Sequence, residues 1–507
     1  MAIVRIYNNT CNGCGGGGGG TSVMVAGAGT FSTLRCDALN SASGDYSMAW
    51  GKNNTASGDC STASGYSTTA SGDKSTSFGQ NTLASGEYST ASGKYTIASG
   101  TYSTASGYCT TASGYYSTAS GYCTTANSSF STASGKYTTA SANFATASGY
   151  CTSASGRYST ASGYCTTASG KYYATASGKY TTASGDYFAS VHNGLCNYIG
   201  NSVSPSLANY AVVLNGNANN TTGGTWSGTY WSVAPTPVNS GLYSFIGNGF
   251  QNVTSGSCYA TILNGCLNTA SGNSSTALGF LSTASGAYSF ASMLGATASG
   301  LGSVASGFLS TASGLFSTAS GYYTTASSRY STASGYRTSA IIGRYSTASG
   351  CYTTSSAYHS TASGYSTTAS GVNSTASGYQ TTASGDYSTA SGKYTTSSAY
   401  NSTASGYQTI ANGQYSTASG RYATASANFA TASGYQTTAS GLYSFVYGVT
   451  SCDNGNNFAY VFGENIVADR VKTLFANNLS IKTIPTSSAG LPSGSVWSNS
   501  GVLNIVP

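Results

Sequence analysis

Glycine, or a small stand-in, falls at every seventh residue over long stretches of this chain. The beat starts at Gly44, Gly51, Gly58 and Gly65 and runs without a slip to Gly170, with only Ser128 and Ala142 replacing it. One extra residue within 171–178 shifts the count, and Gly185 resumes it. The same beat runs from 265 to 335, disturbed at 293–295, slips once to Gly343, and holds from 350 to 448. A heptad with glycine in it cannot be a coiled coil, which needs large apolar residues at two positions and helix formers between them. Collagen needs glycine at every third residue and fails as well. A disordered linker has no reason to keep such a register.

The repeating unit is two heptads. Tyr116-Ser117-Thr118-Ala119-Ser120-Gly121 alternates with Cys123-Thr124-Thr125-Ala126, so the structural period is fourteen. Short Thr- and Tyr-rich segments punctuated by glycine read as strands joined by tight turns. Two strands per fourteen residues predict a narrow, all-β parallel solenoid. Alternation along Tyr-Ser-Thr-Ala-Ser-Gly puts Ser, Ala and Gly on one face and Tyr, Thr and Ser on the other. The uniformly small set is expected inside, with Thr and most Tyr facing outward. All six prolines (Pro205, Pro235, Pro237, Pro485, Pro492, Pro507) lie outside the repeats, as a ladder that uses every N–H requires.

Composition narrows the function. Lys plus Arg number 17 and Asp plus Glu 10, so 5% of the 507 residues are charged. The only glutamates, Glu87 and Glu464, are far apart and most aspartates are isolated, which argues against a carboxylate-pair hydrolase. With two histidines and no Cys-His ligand pattern, no enzyme activity, catalytic residue or bound cofactor is expected. The net charge of +7 is spread without a basic run, so no nucleic-acid partner is expected. No apolar stretch is long enough to span a membrane, and the first residues do not continue into a signal-peptide core.

The beat in Ala105-Ser106-Gly107-Tyr108-Cys109-Thr110 resembles the head repeat of YadA-type trimeric adhesins. Similar Tyr-Ser-Thr-Ala-Ser-Gly arrays occur in fibre proteins of giant viruses and phages. The resemblance covers about three quarters of the chain. It implies a left-handed parallel β-roll, three chains side by side, and service as a surface fibre or adhesin. Thr and Ser replace the Val and Ile usual in that core, and neither a signal peptide nor a C-terminal membrane anchor is evident. These departures favour the viral branch. The stretch from Ile484-Pro485-Thr486 to Val496-Trp497, followed by Val502-Leu503-Asn504-Ile505-Val506, also resembles the ends of viral and phage fibre proteins.

If fourteen residues make one coil, residues fourteen apart stack, and columns can be read directly. Tyr88, Tyr102, Tyr116, Phe130, Phe144, Tyr158 and Tyr172 form an aromatic column suited to packing along the rod or against a sister chain, or to a glycan- or host-binding strip. The opposite edge reads Tyr95, Cys109, Cys123, Tyr137, Cys151 and Cys165, which makes Cys109/Cys123 and Cys151/Cys165 disulfide candidates, with inter-chain bridges or free thiols as alternatives. Thirteen cysteines is an odd number, so at least one is free or bridges chains. Cys11 and Cys14 beside the glycine run 15–20 make only a weak zinc or redox pair. Asp45, Asp59, Asp73 and Glu87 stack four carboxylates on successive coils, a weak candidate for a structural cation; the alternative is that Asp simply suits an exposed turn. The Asn-x-Ser/Thr tripeptides at Asn53, Asn273, Asn373 and Asn401 are expected by chance in such a composition.

Five segments follow: an N-terminal attachment segment with a glycine hinge (1–43), a first solenoid block (44–200), an inserted loop or hairpin segment (201–246), a second solenoid block (247–448), and a C-terminal registration segment or cap (449–507). The inserted segment supplies Trp226, Tyr230 and Trp231 as receptor-contact candidates, or as residues that pack on the shaft. The expected protein is a homotrimeric structural fibre or spike, seated on a virion or other particle base at the virion surface or outside the cell, and used to attach to a host surface glycan or protein. The alternatives are a secreted or bacterial cell-surface adhesin or matrix filament and, against the bulk of Tyr lying between the Thr rows, an ice-binding solenoid.

Overall fold

The computed structural model describes residues 24–29, 32–35, 39–200, 205–222, 225–226, 231–233, 236–255, 258–480 and 482–507. It is an all-β parallel solenoid, and among the described residues the sole helical piece is a 3-10 turn at Pro205–Ala208. One coil illustrates the rest. From Gly86, Thr90–Lys94 forms a five-residue strand and Ile97–Ala98 a two-residue strand. Each pairs in parallel with its counterpart fourteen residues on, Ala91 with Ala105 and Ala98 with Ala112. The turn before the long strand closes when the Ser89 N–H donates to the Gly86 carbonyl at 3.1 Å. Its third residue, Tyr88, has φ +59°, a position that ordinarily takes Gly or Asn. Tyr95, at the turn between the two strands, has the same φ of +59°.

The core is as small as the alternation predicts. Ser89 and Ala91 from the long strand's side and Ala98 from the short strand are fully buried. One expectation is overturned: Thr96 is also fully buried, as are Thr110, Thr124 and Thr138 in the same column. The left-handed residue before each of them restarts the alternation, so the first Thr of the Thr-Thr half shares the inward face with the Ala two residues later. Ser89 Oγ and Thr96 Oγ1 have no hydrogen-bond partner. Each such hydroxyl costs about 1–3 kcal/mol when buried, which the backbone ladder on either side must offset.

The two glycine columns are not equivalent. Gly93, Gly107 and Gly121 have φ between +123° and +126°, a conformation that L side chains rarely adopt. Gly86, Gly100 and Gly114 have ordinary φ, although a Cβ there would also meet the next coil's backbone, at 2.1 Å from the Gly100 oxygen in the case of Gly86. All the small substitutes sit in this second column: Ser128, Ala142, Ser328, Ala357, Ala399 and Ala427. At Ser128, Ala357 and Ala399 the turn residue's N–H changes partner. Gly100 N donates to Ala112 O at 3.3 Å, whereas Ala357 N donates to Ser360 Oγ at 3.1 Å and Ala399 N to Ser402 Oγ at 3.2 Å.

The chain divides into two units, Met1–Phe316 and Ser317–Pro507. In the first, twelve short strands from Ser41–Ala42 to Tyr198–Ile199 form one sheet. The extra residue at 171–173 is absorbed at a turn, so Thr160 pairs with Thr175. Within 201–246 the long-strand ladder continues through Val212–Val213, which pairs with Ser190–Val191 on one side and Phe245–Ile246 on the other. The intervening chain adds two antiparallel pairs, Thr221–Thr222 with Thr236–Pro237 and Thr225–Trp226 with Trp231–Val233. The core thickens there, with Val191, Val213, Ile246 and Ile262 fully buried in place of Ala.

In the second unit, long strands run from Thr318–Tyr322 to Tyr460–Glu464 and end on Leu474–Ala476. The slip at 341–343 is again taken up at a turn, with Thr332 paired to Thr347 and Ile342 left exposed. The solenoid thus outlasts the sequence repeat: Val446 and Val461 replace the core Ala. In the C-terminal segment expected to register or cap the rod, the apolar residues Phe462, Val467, Val471, Leu474 and Leu479 are exposed, Ile466 and Phe475 are half-buried, and Ile481 lies outside the described residues. A final antiparallel hairpin joins Val496–Asn499 to Val502–Ile505.

Candidate functional site

The turns carry the chemistry, because the core and the strand faces are filled by Ala, Ser and Thr. At one turn edge of the first unit the left-handed residues stack their rings: Tyr88 on Tyr102 at 4.7 Å, Tyr102 on Tyr116 at 4.5 Å, Tyr116 on Phe130 at 5.4 Å, Phe130 on Phe144 at 4.9 Å and Phe144 on Tyr158 at 4.7 Å, all within 8° of parallel. The next ring is Tyr173 and not Tyr172, because the inserted residue moves the register by one. Tyr172 instead bridges Arg157 and Tyr187 in the neighbouring column. The stack then crosses the irregular segment through Phe188, Tyr210 and Tyr243 to Tyr259 without a gap. The rings stay partly open to solvent, 39% for Tyr102 and 44% for Tyr116 and Phe130. In the second unit the same column is interrupted: Tyr330, Tyr345 and His359 stack, and Tyr415, Phe429, Tyr443 and Phe458 stack again.

The other turn edge is also aromatic, through residues that the column reading missed. Tyr108 stacks on Tyr122 and Tyr150 on Tyr164, each pair at 4.9 Å. Cations are threaded between them. Lys136 Nζ lies 5.2 Å from the Tyr122 and Tyr137 rings and 5.7 Å from Tyr150; Lys393 and Arg421 do the same among the tyrosines of the second unit. The signal was present in the sequence, since Lys94, Lys136 and Lys179 each directly precede a Tyr of the column that had been read.

The stacked carboxylates are tied into the backbone of the neighbouring coil. Asp59 Oδ1 accepts the Asp45 N–H at 2.9 Å and Asp73 Oδ1 the Asp59 N–H at 3.0 Å. Asp386, Asn428 and Asn457 use the same bond to the preceding coil elsewhere, so it is a backbone cap that needs only an acceptor oxygen. Beside it, the Lys74 ammonium donates to the Tyr88 hydroxyl, which pushes the Lys74 pKa up. No group of three or more His, Cys, Asp or Glu that could hold a metal ion occurs among the described residues.

A buried asparagine ladder was not legible in advance. Asn197 Oδ1 accepts the Asn219 N–H, Asn219 Oδ1 the Asn252 N–H and Asn252 Oδ1 the Asn268 N–H, at 3.0 to 3.1 Å. Their amide nitrogens reach glycine carbonyls of the next coil, Asn252 to Gly265 at 2.8 Å and Asn268 to Gly279 at 2.7 Å. Separations of 22, 33 and 16 residues hid the column.

Cys109, Cys123, Cys151 and Cys165 are free thiols, all at the second edge and all exposed or half-exposed. Trp226 and Trp231 are backbone register partners, with their side chains outside the described residues, as is all of Tyr230. Cys11, Cys14 and the glycine run likewise lie outside. The outer face of the long-strand sheet carries a row of Thr (Thr104, Thr118, Thr132) and a row of Ser (Ser106, Ser120, Ser134). Tyrosine stands at the turns that flank these rows, as Tyr108 does between Thr104 and Thr111.

With a fourteen-residue coil, paired small-residue columns and glycine at both turns in place, the sequence was compared with known families. The two-copy YadA head domain repeat matches at residues 42–68, 61–82, 70–96, 98–122, 270–292, 298–324, 312–338, 355–379, 369–395, 397–423 and 425–448. YadA head domain repeats recur in both units of the solenoid. None of the matches lies between 122 and 270, although the coils stay in register there to Gly170, and none lies beyond 448. No curated protein matches the chain. A YadA head solenoid with aromatic edges fits an adhesin-like surface fibre, structural rather than catalytic and exposed at a surface or outside the cell. No helix among the described residues is long and apolar enough to cross a membrane.

Proposed function

We propose that this chain is the shaft of a surface fibre or spike, assembled as a homotrimer, carried on a virion or particle base, and used to attach to a host surface glycan or protein. The observation that supports it best is the uninterrupted ring stack from Tyr88 to Tyr259, held across a segment where the sequence period fails. A core of Ala and Ser transfers little apolar area, and exposed rings at regular spacing offer the missing area to a sister chain or a flat sugar face. Trp226, Tyr230 and Trp231 are the receptor-contact candidates that the sequence supplies. Immunogold electron microscopy with antibodies against 90–125 tests the reading. Gold is expected along rods that project from intact particles, and label confined to free filaments or to the particle interior refutes it.

The parallel Thr and Ser rows support a second reading, a face that orders water. Hydroxyls there repeat at about 4.8 Å along the sheet and roughly 6.6 Å across it, with no ring between the rows. A gap between melting and freezing points in purified protein would favour this reading; equal temperatures would remove it.

A further inference from the structure

The second turn edge of the first unit has a longer period that the repeat family does not require. Taken two residues per coil it reads Lys94-Tyr95, then Tyr108-Cys109 and Tyr122-Cys123, then Lys136-Tyr137, and the triplet begins again with Tyr150-Cys151 and Tyr164-Cys165 before Lys179-Tyr180. Thiols therefore come in pairs on adjacent coils, and each pair lies between two lysines.

The backbone holds each pair in the same pose. Cys109 and Cys123 have φ +55° and +52°, Cys151 and Cys165 +56° and +51°. Each N–H is fixed to the preceding coil at 2.7 to 2.8 Å. The tyrosines just before them are register partners with rings 4.9 Å apart and 8–9° from parallel. At the coil spacing of about 4.8 Å, the Cα atoms fall inside the range a disulfide spans. Burial and the neighbouring thiol, Cys109 for Cys123 and Cys151 for Cys165, push the pKa of the second cysteine of each pair up. No other described cysteine has this arrangement: Cys351 lies between Tyr336 and Tyr365, Cys266 between Phe250 and Phe280.

We propose that Cys109/Cys123 and Cys151/Cys165 are two dithiol sites that close into within-chain disulfides by exchange with a low-molecular-weight disulfide, stapling one coil to the next. One cysteine thiolate attacks the small disulfide, forms a mixed disulfide and releases one small thiol. The second cysteine then attacks the protein sulfur of that adduct, the S–S bond forms within the chain, and the second small thiol leaves. Two protein thiols lose two electrons in total, the small disulfide gains them, and the two cysteine protons end on the released thiols. Lys136 and Lys179 beside Cys123 and Cys165 favour the thiolate, against burial and the partner thiol, which push these two pKa values up.

The test uses the full chain, reduced, desalted and treated with oxidised glutathione, then blocked with N-ethylmaleimide, denatured and digested with trypsin. Peptide 95–136 is expected to have lost two hydrogens and to carry no maleimide. Peptides 137–157 and 158–171 are expected to be joined, with the protein still a monomer on a non-reducing denaturing gel. Cys60 and Cys351 serve as controls and should carry maleimide or glutathione. Glutathione adducts on Cys109 and Cys123 as frequent as on Cys60, or a covalent dimer lost in the Cys109→Ser, Cys151→Ser variant, would overturn the proposal. In that variant Cys123 and Cys165 should stop at the mixed disulfide, which separates chemistry at the pair from a general effect on folding.

Discussion

Gly107→Ala and Gly100→Ala remove the same glycine hydrogen from adjacent turns of the same solenoid and should differ sharply in cost. A Cβ at either position would stand 2.0 Å from the carbonyl oxygen of the next coil's glycine. The close approach is therefore matched, and only the backbone differs, since Gly107 has φ +123° while Gly100 has an ordinary φ. At Gly100 the strain has an outlet: the amide can leave Ala112 O, already 3.3 Å away, for the otherwise unpartnered Ser103 Oγ, as Ala357 does with Ser360. We estimate about 1 kcal/mol for that exchange of one hydrogen bond for another. At Gly107 an L side chain must hold a sparsely populated conformation, at roughly 1–3 kcal/mol, or shift the ladder beside it at about 1 kcal/mol per bond. The sum is near 3 kcal/mol, or a factor of about a hundred in local opening, against about fivefold for Gly100→Ala. Because a solenoid's coils depend on their neighbours, the loss should be local. Native-state hydrogen exchange by mass spectrometry reads it: amides of 104–122 should exchange about a hundredfold faster in Gly107→Ala, with those of 55–70 unchanged. Equal protection losses in the two variants would refute the argument that backbone conformation, and not crowding alone, keeps this column glycine.

Other outcomes follow from the edges and the C-terminal coils. Tyr116→Ala removes three ring contacts, two stacked at 4.5 and 5.4 Å and one edge-on with Tyr115 at 4.5 Å, and should weaken local protection by about 1–2 kcal/mol, whereas Tyr116→Phe should be nearly silent in the same exchange experiment. Asp59→Asn keeps the acceptor for the Asp45 N–H and relieves like-charge repulsion of about 1 kcal/mol; the variant should melt no lower than the parent, and a chelator should move neither melting curve. Asp453 lies in the last regular turn. Burial pushes its carboxyl up, but bonds from Ser440, Gly441 and Gly455 outweigh this and hold its pKa below the ordinary value. With a depressed folded pKa, the carboxylate's contribution is present above the unfolded pKa near 4 and lost as pH falls through the folded value. Coils 440–464 should therefore lose protection below about pH 4, and Asp453→Asn should flatten that dependence.

The repeat made most of the fold legible because in a solenoid each contact is set by one separation. Fourteen residues fixed the pairing of Ala91 with Ala105 and the stack of Tyr88 on Tyr102 before any coordinate was needed. What escaped depended on conformation at the turns. Thr96 points inward because Tyr95 is left-handed, and a two-residue alternation carried across that turn cannot register the change. The step from Tyr172 to Tyr173 shows the same weakness at an insertion, where either of two adjacent tyrosines satisfies the count and only the backbone selects one. Val213 stands on Val191 and Asn219 on Asn197 across 22 residues, a separation that no period announces. The ring column of the first edge was visible; at the second edge the lysines beside the tyrosines were a signal, yet which rings Lys136 and Arg337 reach on neighbouring coils depends on long side chains whose direction a sequence does not carry.

The central claim is that consecutive coils lie directly over one another in register, with the aromatic turn residues forming a continuous stack. A cryo-electron microscopy map of the purified protein at side-chain resolution tests it most directly. Ring densities for Tyr102, Tyr116 and Phe130 should follow one another at 4.5 and 5.4 Å, with Ala105 above Ala119 in the layer between the sheets. Rings displaced to opposite edges on successive coils, or Ala105 and Ala119 on different faces, would contradict the account.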